Sequence, residues 1–206
     1  QFWFDRFGFI RNTLNARRCD VIIGTGTGVD MVKTGKAYYR SGHVWIYRKD
    51  SGYNIKDWKS PDLRKGVIGI VDKSPVSVAL DAYDLIGNAK PYRLQRDLNV
   101  SPGVLVDDVV SGEIDVAIMW GPIGGYYAKN SKVPLEVVLI PEFEDTQLSG
   151  KTYWNISPGV RYKENDRLKM IDDAIARNKD KILKILDDYG IPHVEPEFHN
   201  ILDGKE

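Results

Sequence analysis

The residues of this chain that could bind a ligand are hydroxyl and aromatic residues, with glycines beside them, that follow the predicted strands. Strand 20–24 is followed by Thr25-Gly26-Thr27-Gly28, strand 67–71 by Lys73-Ser74-Pro75, and strand 115–119 by Trp120-Gly121-Pro122. Ligands of open α/β sheets bind outside the carboxyl ends of the strands. The residues expected to line a ligand or partner cleft are Thr25, Thr27, Gly28, Tyr38, Tyr39, Ser74, Ser77, Trp120 and Tyr126.

No catalytic constellation accompanies these residues in the sequence. The three histidines are His43, in a predicted strand, and His193 and His199, in the C-terminal tail. The sequence contains no H-E-x-x-H, G-x-S-x-G or P-loop motif, which mark zinc proteases, serine hydrolases and phosphate-binding loops. An enzyme is therefore the weakest functional alternative, and neither a cofactor nor a metal is expected.

Three further patterns could indicate a metal, dinucleotide or anion site, but an ordinary structural role explains each of them better. An extended tail would place His193, Glu195, Glu197 and His199 on one side as a metal face, although a solvated tail explains them better. The glycine run 24–28 reads G-x-G-x-G rather than the G-x-G-x-x-G of dinucleotide sites. Ser74 and Pro75 predict the cap and first turn of a helix that reaches about residue 86. Its N-terminus could bind an anion, but a plain capped helix is the commoner explanation.

The composition excludes two classes of partner. The chain has 206 residues, and its 29 Lys and Arg balance 29 Asp and Glu. The sequence has no basic block, which argues against nucleic-acid binding, and no apolar run near the roughly 20 residues that span a membrane. Five Trp and eleven Tyr suit an aromatic cleft or a partner surface, although core packing explains most single aromatics.

The single cysteine and the first residues bear on where the protein works. Cys19 is expected to be a small buried residue, or to pair with a cysteine outside this chain if the protein is exported. The chain opens on the strand-like residues 1–4 and continues at once into a predicted helix. We therefore expect an N-terminal segment to be missing.

A repeated pattern predicts the elements that position the candidate residues. A helix leads into strand 20–24, and a second helix, ending at Gly112, leads into strand 115–119. Apolar strands without polar alternation are typical of parallel strands covered on both faces. Gly112 is expected to end its helix in the left-handed conformation. Two such units predict an α/β protein with two similar lobes whose strand ends face a shared cleft.

Two long extended segments, 43–48 and 153–160, predict where the chain crosses between the lobes. Lobe one then comprises residues 1–48 and 151–206, and lobe two comprises residues 49–150. Two crossing strands form a workable hinge for closure around a ligand. The other expected elements are helices 5–18, 75–86, 101–112, 122–129, 166–177 and 179–189, and strands 67–71, 91–94 and 134–140.

Three stretches resemble the periplasmic solute-binding proteins of the family-3, polar amino acid type: residues 20–24 (DVIIG), 37–39 (AYY) and 112–117 (GEIDVA). Within that superfamily the chain is more specifically similar to the MxaJ/XoxJ proteins associated with methanol dehydrogenase. That similarity is carried by RFGFIRNTLNA at 6–16, YYRS at 38–41, WGPIGGYYAK at 120–129 and DYGIP at 188–192. It spans nearly the whole chain and implies a two-lobed, type II periplasmic binding protein fold. It also implies an exported, periplasmic protein with a β-α-β segment of lobe one before residue 1.

The chain departs from the amino-acid-binding members at both ends of their ligand clamp. The resemblance places Gly28 where those members have the arginine that holds the ligand carboxylate, and Trp120 where they have the aspartate that holds the ammonium. A bidentate Arg–carboxylate pair is strong and directional, and glycine cannot replace it. We therefore expect no free amino acid as ligand. The cleft suits an apolar ligand, a peptide segment of a partner, or no small ligand.

The resemblance implies a non-catalytic accessory protein of a PQQ-dependent (quinoprotein) methanol dehydrogenase, acting in its maturation, assembly or activation. The dehydrogenase and its c-type cytochrome are then the candidate partners. The alternative is the substrate-binding receptor of an ABC transporter for a small ligand that is not an amino acid. In that alternative Trp120, Thr25, Thr27 and Ser77 contact the ligand.

Overall fold

The computed structural model describes residues 6–94, 99–142 and 152–197, without the side chains of residues 6 and 7. The chain divides into two compact units. Unit 1 contains Gln1–Arg40, Trp154–Ile182 and Val194–Glu206, and unit 2 contains Ser41–Tyr153 and Leu183–His193. The lobes expected from the sequence, 1–48 with 151–206 and 49–150, remain a prediction.

The described residues form eight strands and six α-helices. In chain order these are α1 (Arg6–Asn12), β1 (Ile22–Gly26), β2 (Lys33–Thr34), β3 (Tyr39–Arg48), β4 (Ile68–Val71), α2 (Ser77–Ala82), β5 (Ala89–Tyr92), α3 (Val104–Ser111), β6 (Val116–Trp120), α4 (Gly121–Lys129), β7 (Leu135–Leu139), β8 (Tyr153–Val160), α5 (Asn165–Arg177) and α6 (Lys179–Asp188). No helix in the described ranges combines the length and apolarity needed to cross a membrane.

Unit 1 is built on antiparallel pairing of β8 with β1 and β2. Its small core contains Ile10, Leu14 and Val32. The guanidinium of Arg161, at the end of β8, donates to the carbonyls of Leu14 and Cys19, both at 2.8 Å. It thereby ties the turn after α1 to the sheet.

The first helix ends at Asn12 rather than at the predicted residue 18, and two side chains donate to its carbonyls near that end. The Asn12 amide donates to the Gly8 carbonyl at 2.8 Å, and the Thr13 hydroxyl donates to the Phe9 carbonyl at 2.6 Å. Such bonds offer the backbone an alternative to the helix. The chain then turns through Arg17, whose φ is 57°.

The first of the two predicted buried strands is only partly buried. β1 pairs antiparallel with β8, its register shifts between Ile22 and Thr25, and Ile23 is 53% exposed. The two helix–strand patterns of the sequence are therefore not equivalent. Only β6 is a covered strand with a parallel neighbour, β4.

Unit 2 contains a five-stranded sheet in the order β7-β3-β6-β4-β5, in which β4, β5 and β6 run parallel and β3 runs antiparallel to β6 and β7. Successive β3 side chains enter different cores. Trp45 packs on one face with Trp58 and Leu80, whereas Val44 packs on the other face with residues of α3. Helix α3 ends before Gly112, whose φ of 82° confirms the predicted left-handed stop.

The predicted helix 75–86 is wrong in length and in its cap. α2 has only six residues, and no side chain caps it. The backbone carbonyl of Ser74 accepts the Ser77 hydroxyl at 2.7 Å, whereas the Ser74 hydroxyl oxygen is buried with no hydrogen-bond partner among the described residues. Lys73, with a φ of 60°, and Asp84, with a φ of 55°, turn the backbone on either side of α2. So short a helix gives no support to the anion site considered from the sequence.

Candidate functional site

One edge of the unit 2 sheet carries several of the predicted residues. Because β4 and β6 are parallel, their carboxyl ends meet at the same edge. Ser74 follows β4 there, and Trp120 ends β6. β3 enters the sheet at this edge, with His43 directly opposite Trp120 in the antiparallel register.

Trp120 packs against a histidine that burial keeps neutral. The two ring centroids are 5.8 Å apart with the planes at 70°, an edge-to-face arrangement. Burial lowers the pKa of His43 to about 4, although a hydrogen bond to the Thr152 backbone opposes the shift. The position expected to hold an aspartate therefore carries an indole beside an uncharged imidazole. Sequence analysis placed His43 in a strand but could not pair it with Trp120, because strand register is a long-range property.

The hydroxyl groups of the two serines near this edge are bonded or buried, and so have little capacity to bind a ligand. The hydroxyl of Ser77 donates to the Ser74 carbonyl, and the Ser74 hydroxyl oxygen is buried. Their inclusion in a ligand or partner cleft remains a prediction.

Tyr126 lies on the exposed side of α4 and stacks on a residue that sequence analysis did not select. Tyr126 and Tyr189 are 41% and 54% exposed, and their rings lie 6.0 Å apart at an angle of 22°. The contact joins two of the stretches that carry the family resemblance, 120–129 and 188–192. That shared resemblance was the available signal for Tyr189.

Three candidate residues of unit 1 form a polar turn at the end of β1. The hydroxyls of Thr27 and Ser157 lie 2.6 Å apart, and Thr25 is the register partner of Ser157. The Gly28 N–H donates to the Thr34 hydroxyl at 3.1 Å. Sequence analysis missed Ser157 and Thr34, which reach this turn from other strands.

Gly28 has a backbone conformation that argues against a clamp arginine at this point. Its φ is 74°, and a Cβ added there would meet no atom within 4 Å. The position is open, but left-handed backbone costs an ordinary L-residue roughly 1–2 kcal/mol. The backbone at Gly28 therefore favours glycine, and the correspondence of this position to the clamp arginine remains a prediction.

The tyrosine pair of unit 1 is partly buried and uncharged. The Tyr38 hydroxyl donates to the Ile23 carbonyl at 3.0 Å, and the Tyr38 and Tyr39 rings meet edge to face at 5.1 Å. Burial raises the pKa of Tyr38 to about 12 and also raises that of Tyr39. Both phenols therefore keep their protons at neutral pH.

The acidic residues of the tail have cationic neighbours. Glu197 pairs with Arg40 at 2.7 Å, and Glu195 pairs with Lys179 at 3.2 Å. Within the described ranges no group of three or more His, Cys, Asp or Glu residues could hold a metal ion. His199 lies outside those ranges. Cys19 is a free, partly exposed thiol.

The nine predicted residues therefore fall into two sets. Thr25, Thr27, Gly28, Tyr38 and Tyr39 belong to unit 1, and Ser74, Ser77, Trp120 and Tyr126 belong to unit 2. None of the nine carries a charge at neutral pH, so both sets suit an uncharged or apolar group. That the two sets line one cleft remains a prediction.

Comparison with known proteins agrees with this description. The chain matches no protein-family model. It is 30% identical over 198 residues to Protein MoxJ of Methylorubrum extorquens. The matched region covers 89% of this chain and 65% of MoxJ. The chain thus spans slightly less than two thirds of that relative.

Two solved structures match more completely. The crystal structure of MxaJ from Methlophaga aminisulfidivorans MPT is 30% identical, with a TM-score of 0.78 and coverage of 91% of this chain and 81% of that chain. The periplasmic binding protein XoxJ from Methylobacterium extorquens AM1 is 32% identical, with a TM-score of 0.72 and coverage of 92% and 79%. The expected α/β fold of the type II periplasmic binding proteins is confirmed.

Proposed function

The chain belongs to the MxaJ/XoxJ family of periplasmic binding proteins, and from this premise we propose that it is an accessory protein of a PQQ-dependent methanol dehydrogenase. It acts in the periplasm by binding the dehydrogenase during maturation, assembly or activation, and it catalyses no reaction itself. The c-type cytochrome that accepts electrons from the dehydrogenase is a second candidate partner.

The observation that carries this proposal is the uncharged pair formed by Trp120 and His43. An indole stands against a neutral imidazole at the carboxyl end of β6, where the amino-acid-binding members carry a carboxylate. An amino acid ammonium has no counter-charge at this position. A half-buried indole is instead a typical anchor of protein–protein interfaces.

The candidate residues of unit 1 support the same interpretation. Gly28 supplies no cation, and the Thr27 hydroxyl is already engaged with Ser157 and with the Asn155 carbonyl at 3.2 Å. A ligand carboxylate would therefore lack a strong partner here. This set of residues suits contact with a protein segment better than recognition of a zwitterion.

The test is a binding titration between this chain and a purified methanol dehydrogenase, in its PQQ-free and PQQ-loaded forms. We expect saturable binding to at least one form. Trp120→Ala should weaken it at least tenfold, with Trp120→Phe intermediate. Tyr162→Ala removes an aromatic that is 61% exposed outside the predicted site, and it should leave affinity unchanged. Absence of binding to both forms, or equal effects of the Trp120 and Tyr162 changes, would overturn the proposal.

The transport-receptor alternative is separated from this proposal by a different measurement. A ligand that binds only the folded state raises its stability, and the gain grows with the logarithm of the ligand concentration once the site is saturated. A panel of small neutral metabolites that raises the melting temperature, without any binding to the dehydrogenase, would favour the receptor.

A further inference from the structure

A second candidate binding site lies in unit 2, where β3 and β7 meet the segment that follows β3. It is a groove of about 570 Å³ lined by Tyr47, Lys49, Tyr53, Asn54, Ile55, Lys56, Glu136 and Val138. We refer to it as the tyrosine groove. Its volume falls in the range of roughly 300–1,000 Å³ that is usual for small-molecule sites. None of its residues belongs to the nine of the predicted cleft.

The apolar side chains that the tyrosine groove leaves partly accessible are Tyr53 and Val138. Tyr47 on β3 and Tyr53 have ring centroids 6.2 Å apart, tilted by 49°. Ile55 is 1% exposed, and the half-buried Val138 packs against the same core. Tyr47 is 5% exposed and its ring already contacts Tyr53, so a ligand ring can pack only on the accessible face of Tyr53. Such an aromatic pair gains about 0.5–1.5 kcal/mol beyond its area burial.

Backbone hydrogen bonds hold the segment that forms one wall. The Asn54 N–H donates to the Asp62 carboxylate at 2.8 Å, and the Lys56 N–H donates to the Ser60 hydroxyl at 3.0 Å. The Tyr53 N–H donates to the Ser51 hydroxyl at 3.1 Å. The wall is therefore formed before any ligand arrives, which reduces the entropy that binding would cost.

The charges around the tyrosine groove are unequal. Lys49 faces Glu136 across the strand pair at 3.6 Å. Lys56 is exposed and has no acidic partner within 4 Å in the part of the chain that the structure describes. The lining therefore carries one excess positive charge, located at the Lys56 ammonium. A lysine ammonium is a compact point charge that suits a single carboxylate.

We propose that the tyrosine groove binds a small aromatic carboxylate, with its ring against the accessible face of Tyr53 and its carboxylate at Lys56. This site lies outside the predicted cleft and does not depend on the dehydrogenase as a partner. An aromatic ring and a carboxylate separated by a short linker match the two features of the groove, and a neutral or a purely aliphatic molecule matches only one.

The probe is 3-phenylpropionate, compared with neutral 3-phenylpropanamide and aliphatic hexanoate, titrated into the ¹⁵N-labelled protein. We expect saturable amide shifts centred on residues 47, 53–56 and 136–138, at least tenfold weaker for the amide and for hexanoate. Lys56→Gln should weaken 3-phenylpropionate binding at least tenfold. Lys59→Gln, an exposed lysine of the same loop that does not line the groove, should leave it unchanged.

Several outcomes would overturn the assignment. They are an absence of saturable shifts with 3-phenylpropionate, shifts centred elsewhere, equal affinity for the amide, or equal losses in the Lys56 and Lys59 variants. Both lysines are exposed, so neither change removes core packing, and the amide spectrum of each variant confirms that it remains folded. The proposed function is unaffected by any of these results, because its own test is binding to the dehydrogenase.

Discussion

Replacement of Gly125 by alanine should push α4 away from the turn that follows α6. A Cβ added at Gly125 would lie 2.0 Å from the carbonyl oxygen of Gly190 and 2.5 Å from Cδ of Pro192. The nearer atom belongs to the backbone, so no rotamer change can remove the clash. Either the helix or the turn must move, and the Tyr126–Tyr189 stack must separate with them.

The magnitude follows from two opposing effects. An alanine inside a helix is favoured over glycine by about 1 kcal/mol. Overpacking a well-packed contact costs about 1–3 kcal/mol, and a clash with backbone places this case at the upper end of that range. The free energy of unfolding should therefore fall by about 2 kcal/mol. The bond from the Lys129 ammonium to the Asp187 carbonyl, now 2.8 Å, should lengthen with the shift.

Gly124→Ala is the matched control, because it makes the same change in the same helix. Its Cβ would meet Cδ1 of Ile46 at 2.7 Å and Cγ of Met119 at 2.8 Å, which are side-chain atoms that can rotate away. The propensity gain should offset most of that crowding. Urea unfolding followed by tryptophan fluorescence measures both variants. If Gly125→Ala proved as stable as Gly124→Ala, the reasoning about the α4 contact would be refuted.

Three further predictions concern pH, backbone strain and the hydrogen bonds of Arg161. Burial lowers the pKa of His43 from 6.5 to about 4. The folded state therefore gains up to about 3 kcal/mol of stability that is fully present above pH 6.5 and is lost as the pH falls to 4. His43→Gln should flatten this pH dependence of the free energy of unfolding, measured with urea between pH 7.5 and 4.5. Gly28→Ala should cost about 1 kcal/mol because of its positive φ, whereas Gly24→Ala, which meets no neighbour, should change little in the same assay. Arg161→Met should lower the thermal midpoint more than Arg167→Met, since only Arg161 also donates to the carbonyls of the turn after α1.

Local patterns predicted four of the elements well, namely α3, β6, α4 and β8. The continuous apolar run at 115–119 identified β6, and Gly112 located the end of α3, because both features depend on neighbouring residues alone. Tyr126 was likewise correctly placed on a short helix after the Gly121-Pro122 turn. The extended segment at 153–160 was confirmed as β8.

The failures occurred where contacts distant in sequence decide the structure. Ile22-Ile23 is as apolar as the β6 run, yet β1 is only partly buried, because the strand's environment depends on what packs against it. The capping pattern at Ser74-Pro75 predicted a long helix, but positive φ values at Lys73 and Asp84 confine α2 to six residues. The facing of His43 and Trp120 depends on strand register, which single-sequence patterns do not specify.

The glycines of the 120–129 stretch have a packing role that clarifies what the family resemblance means. A Cβ at Gly121 would lie 2.6 Å from the Gly42 carbonyl oxygen, so α4 can begin directly after Trp120 only if that position is glycine. The Ser41 hydroxyl then donates to the Pro192 carbonyl at 2.6 Å, which joins the start of β3 to the turn after α6. Contacts of the 120–129 and 188–192 stretches therefore fix the backbone that carries Trp120. They are a requirement of the fold, and the hypothesis of partner binding depends on the indole itself.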